Sequence, residues 1–156
     1  TDDEGIAEFV RDRRDYDNRD DFIQRYNYKM TDLQAAIGRA QLQRLPEFLA
    51  ARRAFAARYN EAFARLPMDL PRDGGGHVYF RYVIAADERE ALEAFLNERG
   101  IEAKRPVYRP AHHYLGGTFP RAERAHQRCL SLPLHPGLVE ADIEHVIDSV
   151  RTFWRA

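Results

Sequence analysis

The sequence of 156 residues contains a single cysteine and little lysine. The lone Cys129 excludes an internal disulfide and fits a reducing compartment, so we expect a cytoplasmic protein. No apolar run approaches the roughly 20 residues that a membrane span requires. The formal net charge of −1 is unlike the clustered basic excess of nucleic-acid binders. We therefore expect neither a membrane nor a nucleic acid as a partner.

The amino terminus also lacks familiar signals. The stretch TDDEGIAEF (1–9) has no initiator methionine and neither the basic nor the apolar region of a signal peptide. Thr1 followed by acidic residues predicts a helix N-cap, with the helix running over 1–14. We therefore expect this sequence to begin inside a larger protein. Residues 11–22 are almost wholly charged without a helical stripe, which predicts an exposed, solvated connection.

Hydrophobic periodicity predicts two long helices followed by a small α/β domain of the α+β kind. Thr31 and Gln34 form a Thr-x-x-Gln capping box at the start of one helix, and Pro46 suits the first turn of the next. From about residue 68 strands and helices alternate, which predicts a three-stranded sheet with helices packed on one face. The predicted strands are 77–84, 101–108 and 130–136, and the predicted helices are 87–100, 119–130 and 140–154.

The capped helix carries a stripe of apolar side chains, several of which are small. The residues of this stripe recur at helical spacing and include Leu33, Ala36, Ile37 and Ala40. We interpret the stripe first as the inner face of an ordinary core helix. The alternative is a close-packed contact between subunits, which small side chains would permit.

Cysteine and histidine chemistry has little support in the sequence. His112, His113, His126 and Cys129 are not far apart, but no pair of zinc hooks exists and a lone His-x-x-Cys is a weak signal. We therefore expect no metal. Cys129 lies where a core position is expected and has no companion motif, which argues against a nucleophile.

Two polar segments remain as candidate sites. Asn27 and Lys29 precede the capped helix but are not needed to cap it, so their amide and ammonium groups suit a phosphate. An ordinary surface turn is the simpler interpretation. The second segment is a proline-rich loop that suits either an anion or a purely polar cover of the sheet, and both interpretations stay open. Its polar residues are Arg105, Arg109, His112 and His113.

The stretch YNYKMTDLQAAIGRAQLQRL (26–45) closely resembles a segment of the nucleotide-sugar aminotransferases of the DegT/DnrJ/StrS type. The agreement continues in order through RRAFAARYNEAF, HVYFRYVI, RGIEAKRPVYRPAHHYL and CLSLPLHPGLVEADIEHVIDSV. The resemblance implies the aspartate-aminotransferase fold (fold type I) with pyridoxal 5′-phosphate as the cofactor. It further implies a ping-pong exchange, in which glutamate or glutamine donates an amino group to a nucleotide-linked keto sugar.

The resemblance places this chain in the C-terminal part of such an enzyme. Residues 1–30 would pack on a large domain outside this sequence, 31–66 would form connecting helices, and 67–156 would form the small domain. The family's Schiff-base lysine lies upstream, and neither Lys29 nor Lys104 matches it. We therefore assign no catalytic residue here and expect the isolated chain to be inactive.

The resemblance also assigns binding roles. Asn27 matches the asparagine that reaches across a homodimer interface to the cofactor phosphate of the partner subunit. Lys29 would face the substrate end of that pocket, and His112 would approach the sugar nucleotide, with Arg109 as a weaker match. The alternatives are a stand-alone module for dimerisation or sugar-nucleotide binding, and a plain structural domain without a ligand.

Overall fold

The computed structural model describes residues 1–155 and divides the chain into two compact units, Thr1–Arg44 and a second that begins at Leu45. Among the described residues, no helix is long and apolar enough to cross a membrane. In chain order the elements are α1 (Glu4–Arg13), α2 (Asp32–Phe63), β1 (Tyr82–Ala85), α3 (Arg89–Glu98), α4 (His112–Leu115), α5 (Pro120–Arg128), β2 (Cys129–Leu132) and α6 (Glu140–Phe153).

Helix α1 begins later than the sequence predicted. Asp3, not Thr1, is its N-cap, and the Asp3 carboxylate accepts a hydrogen bond of 2.9 Å from the amide of Ile6. The Thr1 hydroxyl instead accepts from the amide of Asp3 at 3.1 Å. A carboxylate at this position satisfies a helix amide and also carries the negative charge that the N-terminal end of the helix dipole favours.

Helix α2 confirms the capping box but not the predicted break at Pro46. The Thr31 hydroxyl accepts from the amide of Gln34 at 3.3 Å, and the Gln34 carbonyl oxygen accepts from the amide of Thr31 at 3.0 Å. The helix then continues through Pro46 to Phe63. An interior proline costs about 3 kcal/mol. The complete burial of Tyr59 and Phe63 farther along the helix offsets this cost, since each large side chain contributes roughly 1.5–3 kcal/mol.

The sheet has two antiparallel strands rather than the predicted three. Tyr82 pairs with Leu132 and Ala85 with Cys129, so both strands are shorter than predicted. The predicted strand over 101–108 is reduced to one isolated bridge between Lys104 and Ser131. A second isolated bridge joins Asp69 to Ala85 on the other side of β1.

Prolines explain why neither bridge grows into a strand. Lys104 and Ser131 exchange both backbone hydrogen bonds, so the next such pairs in an antiparallel ladder are two residues away in each direction. Those pairs require amide donors at Pro106 and Pro133, which have none. The bridge at Asp69 is limited in the same way, because the ladder positions two residues before and after Asp69 are also prolines, Pro67 and Pro71.

The residues before β1 are irregular, with a bend at residues 80–81, instead of forming the predicted strand. Tyr79 adopts a positive φ of 45°, which no regular strand contains. The guanidinium Nη1 of Arg52 donates to the backbone carbonyls of Tyr79 and Phe80 at 3.0 Å and to that of Leu134 at 3.2 Å. These contacts satisfy carbonyls that the shortened strand leaves without ladder partners.

The core of the second unit is built on aromatic residues of α2 and β1. The Tyr59 and Tyr82 rings meet edge to face at 5.0 Å, and Phe63 stacks on Tyr59 at 5.4 Å. Both buried hydroxyls are satisfied, because Tyr59 donates to the Pro133 carbonyl at 3.0 Å and Tyr82 to the Asn60 side chain at 2.7 Å. Helices α3 and α6 complete this core with Leu92, Leu96, Ile143, Val146, Ile147 and Val150.

A leucine pair tests this assignment of the core. Leu92 is fully buried, whereas Leu115 is 86% exposed. We expect Leu92→Ala to lower the free energy of unfolding by about 2–5 kcal/mol because it leaves a cavity. Leu115→Ala should change the same quantity by less than about 0.5 kcal/mol. Urea unfolding of both variants checks this expectation, and equal effects would contradict the assignment.

The capping box generates a second prediction. Thr31→Ala removes the oxygen that accepts from the Gln34 amide, and should cost about 1 kcal/mol of helix stability. Thr31→Ser keeps a hydroxyl and should retain most of that stability. Hydrogen exchange of the first amides of α2 reports the effect at the helix end, and identical exchange in the two variants would show that the hydroxyl does not cap.

Candidate functional site

The segment before α2 pairs with the end of α1. The amide of Tyr26 donates to the Arg13 carbonyl at 2.8 Å, and the amide of Tyr28 donates to the Arg14 carbonyl at 3.0 Å. The Tyr26 and Tyr28 rings stack at 4.9 Å with 5° between their planes, so both side chains lie on one side of the segment. Because side chains alternate along an extended backbone, Asn27 lies on the other side.

Cations flank Asn27 and contact an acidic stretch. Arg25 bonds to Asp12 at 2.8 Å and to Asp21 at 2.6 Å. The Lys29 ammonium lies 2.6 Å from Asp17, and its contact with Asp15 is 3.2 Å. The stretch over 11–22 is largely exposed, as predicted, but the prediction of a merely solvated connection is incomplete. Its carboxylates hold the two cations of the candidate site in place.

Asn27 and Lys29 therefore differ in whether their side chains already have partners. Asn27 is exposed, and within residues 1–155 its side-chain amide has no hydrogen-bond partner. Lys29 is engaged, since its contacts with Asp17 and then Asp15 raise the pKa of the ammonium. The charge on Lys29 is thus secure. An incoming anion would have to share the ammonium with these carboxylates.

The second candidate segment is more structured than the predicted loop. It contains the helical turn α4, in which both histidines turn toward α5. The His112 Nε2 lies 3.2 Å from Glu123 Oε2, and the His113 Nε2 lies 2.7 Å from the same oxygen. Arg109 donates to the His113 carbonyl at 3.0 Å and lies over the Tyr114 ring at 4.5 Å. Of these residues, sequence reasoning missed Glu123.

Glu123 is the electrostatic centre of this segment. Its contacts with His113 and His112 lower the pKa of the Glu123 carboxyl from 4.5 to about 2. Gln127 donates to Oε1 of the same carboxylate at 3.1 Å. The spacing of Glu123 and Gln127 places both on one face of α5, but no sequence signal connects that face to residues ten positions earlier.

Arg105 does not join the same contacts. It lies 2.9 Å from Glu90, and its Nη1 lies 3.3 Å from the His126 Nε2. Burial, followed by the charge of Arg105, lowers the pKa of His126. Cys129 is half-buried, and burial raises the pKa of its thiol, in agreement with the expectation that it is not an activated nucleophile.

Comparison with known proteins gives the family. Residues 2–151 match the model of the DegT/DnrJ/EryC1/StrS aminotransferase family. The chain belongs to this family. Aminotransferases of the family use pyridoxal 5′-phosphate, so both the predicted family and its predicted cofactor are confirmed.

Curated relatives are longer than this chain. It is 38% identical over 137 residues to the GDP-perosamine synthase of Caulobacter vibrioides, covering 78% of this chain and 37% of that protein. It is 33% identical over 144 residues to the spore coat polysaccharide biosynthesis protein SpsC of Bacillus subtilis, covering 81% of this chain and 37% of the relative. The chain thus spans less than half the length of these relatives.

Solved structures that match this chain are also more than twice as long as the part that it covers. DesV of S. venezuelae superimposes with a TM-score of 0.91 at 30% identity, over 100% of this chain and 46% of that structure. A DegT/DnrJ/EryC1/StrS aminotransferase from Brucella abortus gives a TM-score of 0.88 at 29% identity, over 100% and 45%. The α/β fold of an aminotransferase part with a small antiparallel sheet is therefore confirmed. The predicted third strand is not.

The residues present fit a phosphate contact but not covalent attachment of the cofactor. The free, exposed amide of Asn27 supplies a donor for a phosphate oxygen. The only lysines are Lys29, held by Asp17 and Asp15, and Lys104, which contacts Glu102 and bridges β2 through its backbone. Neither ammonium lies in an apolar pocket of the kind that activates a nucleophilic lysine.

The acidic stretch generates a pH prediction. The Arg25 side chain, with the amide of Ile23, lowers the pKa of Asp21 from 3.8 to about 2. A carboxyl with a lowered folded-state pKa stabilises the fold above its unfolded pKa, and this contribution is lost as pH falls from about 4 towards 2. Arg25→Gln should raise the pKa of Asp21 towards 3.8. NMR titration of the Asp21 carboxyl carbon measures this pKa in the wild type and the variant. An unchanged pKa would show that Arg25 does not lower it.

Proposed function

We propose that this chain is the C-terminal portion of a homodimeric, cytoplasmic aminotransferase that uses glutamate or glutamine to aminate a nucleotide-linked keto sugar. The observation that carries the proposal is the family match over residues 2–151, combined with full coverage of this chain and only 46% coverage of a solved aminotransferase. The cofactor, when bound, carries the amino group between the donor and the acceptor. The residues of this chain bind the cofactor phosphate and position the substrates.

Asn27 binds the cofactor phosphate of the partner subunit in this proposal. Support comes from its exposed amide, which has no partner within residues 1–155, and from its place between Arg25 and Lys29. An amide N–H donates to a phosphate oxygen without adding charge. The neighbouring cations attract the dianion, but the carboxylates that hold them oppose it, so the amide of Asn27 supplies the main contact.

Lys29 contacts the substrate end of the same pocket. Its ammonium is positioned by Asp17 and Asp15, which also keep it protonated. A carboxylate of the amino donor would take one of these positions on the ammonium. Asp17 and Asp15 therefore compete with the amino donor for Lys29. This competition lowers the affinity for the donor, but the two carboxylates keep Lys29 oriented between turnovers.

His112 and Arg109 bind the sugar-nucleotide substrate. The His112 Nε2 contacts Glu123. Arg109 is exposed and lies over the Tyr114 ring. A guanidinium supported by an aromatic ring remains free to pair with an anion through its outer edge. The two residues thus offer a hydrogen-bonding imidazole and a cation to a phosphorylated sugar.

Without the preceding part of the enzyme the chain should not transaminate. Both lysines are paired with carboxylates, and neither supplies covalent attachment. Titration of the isolated chain with pyridoxal 5′-phosphate should give no specific, saturable absorbance change that responds to glutamate. A stoichiometric change that did respond would contradict the proposed division of labour. Saturable binding of a sugar nucleotide by the isolated chain would instead favour a stand-alone module.

An Asn27 series in the full-length protein tests the phosphate contact. Asn27→Ala removes the amide donor and should weaken cofactor binding by about 10-fold, which corresponds to a charge-assisted hydrogen bond of about 1.5 kcal/mol. Asn27→Asp adds a repulsive charge and should weaken binding further, whereas Asn27→Gln keeps a donor and should weaken it less. Fluorescence-monitored dissociation of the cofactor gives the affinities. Wild-type affinity in all three variants would exclude the contact.

A further inference from the structure

Three metal-ligating atoms converge between α4 and α5. One ring nitrogen of His112, one of His113 and a carboxylate oxygen of Glu123 lie within 4.8 Å of one another. Both imidazole nitrogens meet the same oxygen, Oε2, at 3.2 and 2.7 Å. Sequence reasoning grouped these histidines with His126 and Cys129 and rejected a metal. The actual third group is Glu123, eleven residues after His112.

We propose that His112, His113 and Glu123 form a binding site for a divalent cation of the zinc class. Imidazole nitrogen and carboxylate oxygen are ligands that zinc prefers, at about 2.0–2.2 Å. Tetrahedral ligands at that distance lie about 3.3 Å from one another. The observed separations from Glu123 are slightly shorter, so these two contacts have to open by about 0.1–0.6 Å to admit the ion. The ligand atoms as a group lie within 4.8 Å of one another, so the two imidazoles also have to approach each other where their separation exceeds the tetrahedral distance.

Neighbouring side chains orient the three ligand residues. Gln127 donates to Glu123 Oε1, which fixes the carboxylate and leaves Oε2 for the cation. Phe119 packs against the His112 ring at 5.5 Å, and Arg109 holds the backbone of His113 through its carbonyl. Such outer contacts orient metal ligands and commonly change metal affinity by about 10–100-fold.

The site is open on one side. The His112 side chain is 11% exposed, but those of His113 and Glu123 are 33% and 37% exposed. Solvent therefore reaches the cluster and supplies the fourth ligand that three protein ligands leave vacant. The cation can therefore exchange with solution, which it could not do in a closed structural centre.

Charge limits the affinity. Glu123 is the one carboxylate of the triad, while the guanidinium of Arg109 lies at the same helical turn and Arg105 lies beside His126. These cations oppose a further positive ion. Binding is therefore weaker than in an all-acidic site and selective for metals that favour imidazole, such as zinc, cobalt or nickel, over magnesium.

Binding of a cation at this site would have a structural consequence. The ion would join α4 to α5 and occupy the Nε2 of His112. The metal site follows from the geometry of these side chains alone, so it does not depend on the proposed aminotransferase activity. If His112 also contacts the sugar nucleotide, the cation competes for that side chain and weakens substrate binding.

Titration of the full-length protein with Co²⁺, followed by Zn²⁺ competition, tests the site. We expect visible cobalt bands at one equivalent, and their loss on addition of zinc. Glu123→Gln and His113→Gln should each weaken cobalt binding at least 10-fold. His145→Gln removes a histidine outside the cluster and should leave the affinity unchanged.

The same series separates metal binding from the hydrogen-bonded cluster. Circular dichroism and thermal unfolding without metal show whether each variant is folded, and two ligand variants are used so that one folded variant suffices. Equal cobalt affinity in wild type, Glu123→Gln and His113→Gln would overturn the proposal. Absence of saturable cobalt binding in the wild type would overturn it as well. Neither result bears on the Asn27 contact or on the aminotransferase assignment.

Discussion

The second unit depends on the burial of aromatic side chains with polar ends. Tyr59 and Phe63 of α2 meet Tyr82 of β1, and burial raises the pKa of both tyrosines, which keeps their hydroxyls protonated as donors. One hydroxyl fixes the Pro133 carbonyl and the other fixes Asn60. A buried donor without its acceptor would cost about 1–3 kcal/mol. Within the second unit, the core therefore specifies both the position of the C-terminal part of α2 against the sheet and the path of the chain after β2.

Prolines then limit the sheet, and their effect was present in the sequence although periodicity did not reveal it. The residues at 101–108 have the apolar and β-branched character of a strand, so the pattern predicted one. Whether a strand forms also depends on which residues face each other across the ladder. Pro106 and Pro133 fall on hydrogen-bonding ladder positions in the register that pairs Lys104 with Ser131, and that register is a tertiary property. Pro46 shows the converse, since burial farther along α2 overrides a local break signal.

The candidate site shows the same division between what a sequence reveals and what it does not. The capping box, the family and the cofactor followed from contiguous residues, since local spacing and motif carry them. The partners of the candidate residues did not, because they lie across turns: Lys29 meets Asp17, and His112 meets Glu123. Long, charged side chains choose among many nearby groups, and no periodicity encodes that choice. Acidic neighbours therefore hold both candidate groups before any ligand arrives.

The central claim is that Asn27 completes a cofactor site in the neighbouring subunit. The most direct measurement mixes two defective full-length subunits, one carrying Asn27→Ala and one lacking the cofactor-binding lysine that the family places upstream. If Asn27 acts across the interface, each mixed dimer contains one site with both groups intact, so at a cofactor concentration too low to saturate the Asn27→Ala parent the mixture is more active than either parent. If Asn27 serves its own subunit, no mixed dimer has an intact site, and activity that stays at the level of the parents would contradict the account.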